Sequence, residues 1–368
     1  MKTSTKFKTV TILFSLVVLL AACSSTHAKS LSQPITHIAT TTTQPPVYCP
    51  LTGMPLQPGQ SINRPALAVK IDNYPAARPQ SALNQADIVF EEPVEGFITR
   101  FVAVYNCNSP TFLGPIRSAR YEDIGILDQL SSPVFVHAGG IAPIMSLIKS
   151  DTSAFNINIL ANPQIIIHPA GKVPPDSTYM SSLSAWSMDS NDTTPPSPIF
   201  IYSSSIPQSF NPSAVTGIHI DYSYTNDETW QWNATDGVWN LYYSGKELTD
   251  PSGNPITANN VVVQNVSVTF GPWIEDSLGG KEVVPNFLSG GPATILRNGQ
   301  AITGLWSRSS LNQPTKFIGS NGQQIPLSPG RTYIEIVPNQ VKQNLLTVPS
   351  TTSVSTSGST SASNNSVP

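Results

Sequence analysis

Residues 64–123 contain a dense block of charged residues interleaved with short apolar runs of strand length. This combination constrains the fold more than any other part of the sequence. The block holds 13 of the 41 Asp, Glu, Lys and Arg residues, including five of the eight arginines, in 60 of 368 positions. Charged groups are costly to bury unless they are paired. The block therefore predicts either a structural network of ion pairs or a polar pocket.

The N-terminal part of the chain predicts an α/β fold. Four runs have strand length and apolar or alternating character, at residues 66–71, 87–90, 99–105 and 133–136. Residues 119–130 carry apolar side chains at helical spacing with Ser118 as N-cap, and 142–149 predict a second helix. This succession predicts a mixed, partly parallel sheet with crossover helices.

The C-terminal part predicts a mainly antiparallel β structure. Residues 228–232 and 238–243 flank a turn at 233–237, and residues 294–297 and 300–303 flank Asn298-Gly299, a strong two-residue hairpin signal. The change in composition near residues 193–212 predicts two domains, an α/β domain at 47–200 and a β-rich domain at 210–340.

The N-terminus has the pattern of an export signal. Lysines precede an apolar run at 10–20 that is short for a membrane span, and the run ends in Leu20-Ala21-Ala22-Cys23. This lipobox predicts removal of a lipoprotein signal peptide at 1–22 and lipidation of Cys23; the alternative is ordinary cleavage with an incidental Cys23. Two or more acyl chains suffice for stable anchoring. The predicted location is the outer face of the cytoplasmic membrane.

The composition of the remaining chain restricts its partners. Residues 23–46 and 347–368 are rich in Ser and Thr with little apolar content, which predicts a disordered tether and tail. Removal of the signal leaves 16 basic and 22 acidic groups, a net charge of about −6. This balance argues against nucleic acid as a partner and against electrostatic adhesion to anionic lipid.

The two remaining cysteines, Cys49 and Cys107, are candidates for a disulfide, which an oxidising compartment permits. They match no zinc pattern, and the sequence predicts no metal and no cofactor. The G-x-S-x-G and H-E-x-x-H signatures do not occur, so the sequence offers no motif for a serine hydrolase or a zinc protease.

Polar residues follow the predicted strands where each apolar run ends. Asp72, Glu91, Glu92 and His137 occupy such positions, and they converge at one sheet edge if the strands are parallel. Backbone amides after His137 and arginines near the first helix suit an anion. The full candidate pocket comprises Asp72, Arg78, Glu91, Glu92, Glu95, Arg100, Arg117, Arg120, His137, Gly139 and Gly140.

Two functional interpretations compete with a structural one. The arginines suit recognition of an anionic cell-envelope polymer or an envelope protein, and we take this as the leading functional hypothesis. The alternative is a cell-wall glycan hydrolase that uses two carboxyl groups from the set Asp72, Glu91, Glu92 and Glu95. The structural interpretation is that these acids and arginines neutralise each other.

Several sequence blocks together resemble the YerB-like bacterial lipoproteins, the family of domain of unknown function 3048, in its N- and C-terminal parts. The blocks lie at 49–53, 64–73, 77–81, 85–89, 94–101, 114–120 and 136–140, with weaker similarity at 260–263, 304–306 and 329–333. The resemblance implies an extracytoplasmic lipoprotein with two associated domains and no defined function. Residues 173–179 lack the His and Asn of the family's usual block and carry Asp176 instead, which favours recognition or scaffolding over catalysis here.

Overall fold

The computed structural model describes residues 46–347; the signal peptide, the Cys23 lipidation site and nearly all of both predicted disordered segments lie outside the described residues. The helices are α1 (Glu122–Leu127), α2 (Ala142–Ser150) and α3 (Ser182–Trp186). The strands are β1 (Leu67–Asp72), β2 (Ile88–Pro93), β3 (Thr99–Tyr105), β4 (Val134–His137), β5 (Phe155–Asn158), β6 (Ser213–Ala214), β7 (Gly217–Ser223), β8 (Asn226–Asn233), β9 (Val238–Tyr243), β10 (Lys246–Glu247), β11 (Thr257–Ala258), β12 (Asn260–Val266), β13 (Val268–Ile274), β14 (Lys281–Pro285), β15 (Ser289–Arg297), β16 (Gln300–Arg308), β17 (Lys316–Gly319), β18 (Thr332–Pro338) and β19 (Lys342–Leu346).

An eleven-stranded sheet forms the centre of the fold, in the order β17-β16-β15-β12-β18-β2-β3-β1-β4-β5, with β6 paired to β16. Strands β1, β2, β4, β5, β12 and β18 run in one direction, since β3 is antiparallel to both β1 and β2. The prediction of a mixed, partly parallel sheet is confirmed. The β2–β18 pairing joins strands from the N- and C-terminal parts of the chain.

A second, antiparallel sheet in the order β10-β9-β8-β7-β19, with β11 on β9, covers one face of the large sheet. Its inward side chains, such as Trp230, pack in one apolar core with Val69 and Phe101 of the large sheet. The opposite face packs against α1 and α2 through a second core. The antiparallel C-terminal prediction is confirmed, and Asn298-Gly299 joins β15 to β16 as predicted. Among the described residues, no helix is long and apolar enough to cross a membrane.

The helices differ from prediction at two points. α1 begins only at Glu122, and Ser118 does not cap it, because the Ser118 hydroxyl donates to the Ala138 carbonyl at 3.2 Å. α1 joins β3 to β4, which run in opposite directions on either side of β1, so it is not a crossover between parallel neighbours. That role belongs to α2, which joins β4 to its parallel neighbour β5.

A disulfide between Cys49 and Cys107 ties the start of the described chain to the end of β3. The predicted division near residues 200–210 stays a prediction, since strands from both sides of it share the large sheet.

Candidate functional site

The carboxyl ends of β1, β2 and β4 meet at one edge of the large sheet, and this edge carries Asp72, Glu91, Glu92 and His137. Successive residues of a strand point to opposite faces, however, so Glu91 and Glu92 lie on different sides of the sheet. The sequence-predicted acids, and the predicted arginines other than Arg78, are therefore divided between two clusters. The helix-side network comprises Lys70, Asp72, Glu92, Glu95, Arg100, Arg117, Arg120, Glu122, Asp123 and Glu275, and the inter-sheet cluster comprises Glu91, Glu228 and Glu335.

Lys70 is the inner cation of the helix-side network. Its ammonium group forms ion pairs with Glu92 and, at 2.8 Å, with Asp123, and all three side chains are fully buried. Burial raises the pKa of neighbouring Glu122 to about 8, against the opposing charge of Lys70. Glu92 is thus ion-paired with Lys70, a residue that the sequence analysis did not include in the pocket.

Glu95 is held between two buried arginines. Its carboxylate accepts from Arg120 at 2.9 and 2.7 Å and from Arg100 at 3.4 Å. Burial alone would raise its pKa, but the Arg120 hydrogen bonds and the charges of both arginines lower the pKa of Glu95 to about 2. Arg120 also lies 3.2 Å from Glu275. These arginines are therefore neutralised within the protein.

The outermost part of the network contains Asp72 and Arg117, and Asp176 lies beside this pair. Arg117 pairs with Asp72 at 2.7 Å, and its side chain is 25% exposed. Asp176, from the block at 173–179, lies close enough to Asp72 for the charges of the two carboxyl groups to interact. Burial and the charge of Asp72 raise the pKa of Asp176. This carboxyl pair was not predicted, although the departure at Asp176 marked its position.

The four acids of the hydrolase hypothesis do not face a common open cleft. Glu91 and Glu92 are fully buried, and Asp72 and Glu95 are 3% and 6% exposed. Three of the four are ion-paired, and Glu91 lies on the other face of the sheet. The geometry agrees with the structural interpretation for most of the charge block.

His137 lies near the charges of Lys70 and Asp123, and the glycine pair contacts Ala119, but none of these three residues is ion-paired within the helix-side network. The His137 ring donates through Nδ1 to the Gly139 carbonyl at 2.9 Å, and burial lowers its pKa. The Gly139 amide, expected to receive an anion, donates to the Asn158 side chain at 3.1 Å. A methyl group on Gly140 would crowd Met145. A cavity of about 330 Å³ opens beside His137, bordered by Lys149.

The inter-sheet cluster brings together three glutamates from different parts of the chain. Glu91 of β2 and Glu335 of β18 are partners in register, and Glu228 projects from β8 of the covering sheet. All three are fully buried, and one oxygen from each lies within 4.8 Å of the other two. Burial raises the pKa of each carboxyl group. Sequence reasoning identified Glu91 alone; an acid inside the apolar run at 333–337 was the available signal for Glu335.

Neutral donors surround two of these carboxylates. Glu91 accepts hydrogen bonds from Tyr243, Asn73 and Thr99. Glu335 accepts from the Trp230 indole at 3.0 Å and from Tyr222 at 3.5 Å. Neither oxygen of Glu228 has a hydrogen-bond partner among the described residues.

Arg78 differs from the other predicted arginines because it borders an open groove of about 280 Å³. It donates to the Asn73 side chain and carbonyl at 3.1 and 2.8 Å, and its guanidinium stacks on Tyr243 at 3.8 Å. Within residues 46–347, no carboxylate lies within ion-pair distance of it. The groove is lined by Pro75, Arg78, Pro79, Tyr243, Lys246, Glu247, Leu248 and Thr249.

Comparisons with known proteins match both parts of the chain. Residues 51–193 match the family model described as "Protein of unknown function (DUF3048) N-terminal domain", and 218–334 match that of its C-terminal domain. "Putative lipoprotein YerB" of Bacillus subtilis (strain 168) is 26% identical over 309 residues, covering 79% of this chain and 86% of the relative. The crystal structure of YerB protein from Bacillus subtilis superimposes with a TM-score of 0.67 at 24% identity, covering 81% of this chain and 99% of the other, which supports the fold.

Proposed function

The chain belongs to the family of proteins of unknown function DUF3048, so its function has to be inferred from its own residues. We propose that it is a lipid-anchored envelope protein that binds an anionic cell-envelope polymer at Arg78. The lipobox ending at Cys23 and the name of its Bacillus subtilis relative support the anchor. A signal peptide and a diacyl or triacyl cysteine place the protein on the outer face of the cytoplasmic membrane in this proposal.

The observation that carries the binding proposal is that Arg78 borders an open groove and forms no ion pair with a described residue. Arg100, Arg117 and Arg120 pair with acids, whereas Arg78, which is half-buried, borders a groove and has no carboxylate partner among the described residues. Lys246 adds a second, exposed cation to the same groove. Glu247 also lines it, with one carboxylate oxygen engaged by Asn240 and Tyr242. Two cations and a stacked aromatic ring suit phosphate or carboxylate groups along a polymer.

The proposal predicts that the full chain, purified in detergent, is retained on wall sacculi that carry anionic polymer. The variant Arg78→Gln with Lys246→Gln is expected to lose about tenfold in apparent affinity, since each charge-assisted contact is worth about 1 kcal/mol or less in an open groove. Retention of the wild type should also weaken as salt is raised. Co-sedimentation with purified sacculi measures both effects.

The matched control removes the same charge elsewhere, at the exposed strand residues Lys281 and Lys342. Lys281→Gln with Lys342→Gln is expected to bind like the wild type. Equal retention of the groove variant, or unchanged retention on sacculi stripped of anionic polymer, would refute the polymer proposal. Because Arg78 also holds Asn73, the unfolding midpoint of each variant must be shown to match the wild type.

The hydrolase alternative now depends on Asp72 and Asp176, the described carboxyl pair beside a partly exposed arginine. It predicts release of soluble fragments from purified sacculi by the wild type and its loss in Asp176→Asn. Sacculi that stay intact with wild-type protein would remove this alternative and leave the binding proposal untouched.

A further inference from the structure

We propose that Glu91, Glu228 and Glu335 form a binding site for a hard divalent cation of the calcium class, buried between the two sheets. This site is distinct from the groove and does not depend on polymer binding. The sequence analysis identified Glu91 alone and could not bring the three residues together, since they come from distant strands.

The spacing of the carboxylates suits calcium. Ca²⁺ binds oxygen ligands at about 2.3–2.6 Å, so two ligands on opposite sides of the ion are separated by up to about 5 Å. The three glutamate oxygens lie within 4.8 Å of one another, which is inside this limit. Mg²⁺ requires shorter bonds of about 2.0–2.1 Å and keeps several waters, a poorer match to a fully buried set of carboxylates.

Glu228 supplies an independent observation. Both its oxygens are buried and without a hydrogen-bond partner among the described residues, although it faces Glu91 and Glu335. A buried carboxyl group whose oxygens lack a partner is costly in a protein interior even when it is protonated. A cation among the three glutamates would satisfy these oxygens.

The surroundings do not supply the missing positive charge. No lysine or arginine of the described chain forms an ion pair with Glu91, Glu228 or Glu335, although the charge of Arg78 acts on Glu91. The groups that contact Glu91 and Glu335 are neutral donors, as outer-shell groups that orient carboxylate ligands commonly are. Hard cations prefer oxygen ligands of this type.

A cation at this position would link the layers of the fold. Glu91 and Glu335 belong to the large sheet, and Glu228 belongs to the covering sheet. Tyr243 connects the site to the groove, because its hydroxyl donates to Glu91 while its ring stacks beneath Arg78. The ion would stabilise the folded state by mass action, since the unfolded chain has no such site.

The test uses the full chain in detergent, stripped with EDTA and then titrated with Ca²⁺. We expect one calcium per chain after gel filtration and a rise in Tm of about 5 °C at saturating Ca²⁺. Tb³⁺ should replace Ca²⁺ and show luminescence on tryptophan excitation, because Trp230 donates to Glu335 at 3.0 Å. Excess Ca²⁺ should quench that luminescence.

Glu228→Gln is expected to abolish calcium retention and the Ca²⁺-dependent rise in Tm. The control Glu122→Gln changes a buried acid of the helix-side network and should keep both responses. A wild-type protein that retains no calcium and has the same Tm in Ca²⁺ and EDTA would overturn the proposal, and shared protons would then hold the carboxyl groups together. The wild-type measurements decide the question even if Glu228→Gln fails to fold, and Glu335→Gln then provides the second variant.

Discussion

Glu95 and the two arginines beside it form ion pairs with one another, so these residues of the charge block are not available to bind a ligand. Arg100 and Arg120 are both buried, and each is close enough to lower the pKa of Glu95. Two adjacent guanidinium groups repel each other, and burial together with Arg120 lowers the pKa of Arg100 to about 10. The carboxylate between them is what makes their burial tolerable.

Replacing Glu95 by Gln should therefore destabilise the protein by about 3 kcal/mol at pH 7. The pKa of Glu95 falls from its usual 4.5 to about 2 on folding, so its contribution is complete above pH 4.5 and is lost as the pH falls toward 2. The wild type should thus lose stability over this range, and Glu95→Gln should show a shallower decline. Urea unfolding at several pH values measures both effects. A Glu95→Gln slope equal to that of the wild type would contradict the prediction.

At the scale of elements, the sequence predicted the positions of strands, because these depend on residues that are neighbours along the chain. The bounds of β3 match the predicted strand at 99–105, and those of β9 match 238–243, because apolar alternation is a local pattern. The carboxyl ends of β1, β2 and β4 also meet as expected. The partners of the side chains at those ends could not be predicted, because they depend on which strands pair. The register that places Glu335 beside Glu91 joins residues from opposite ends of the described chain.

The β15–β16 hairpin provides a test of local backbone preference. Asn298 and Gly299 have φ angles of 50° and 70°, as a type I′ turn requires. A methyl group on Gly299 would lie 2.8 Å from the Trp232 indole nitrogen. Gly322 also has positive φ, 76°, but nothing lies within 4 Å of the added carbon.

We expect Gly322→Ala to cost about 1 kcal/mol, the backbone penalty alone, and Gly299→Ala to cost about 1–2 kcal/mol more because Trp232 must also move. Urea unfolding midpoints of the two variants measure the difference. Equal losses of stability in the two variants would show that the Trp232 side chain moves aside without a cost in free energy.

At the scale of the whole molecule, the two family regions are joined by backbone pairing. β18, from the C-terminal part, lies between β12 and β2 in the large sheet. The covering sheet, built from the C-terminal part, shares an apolar core with β1 and β3. Removing either part would leave an apolar sheet face and an unpaired strand edge exposed to water.

The full chain should therefore unfold in a single cooperative transition, with equal calorimetric and van't Hoff enthalpies. Ile334 is buried on β18, and Ile334→Ala is expected to cost about 2–5 kcal/mol through the cavity it leaves. Because β18 pairs with strands from both parts, this loss should shift the whole transition to lower temperature rather than split it. The exposed Leu305→Ala provides the control and should leave Tm within about 2 °C of the wild type. Two resolved transitions in the wild type, or melting of one part alone in Ile334→Ala, would show that the parts fold independently despite their common sheet.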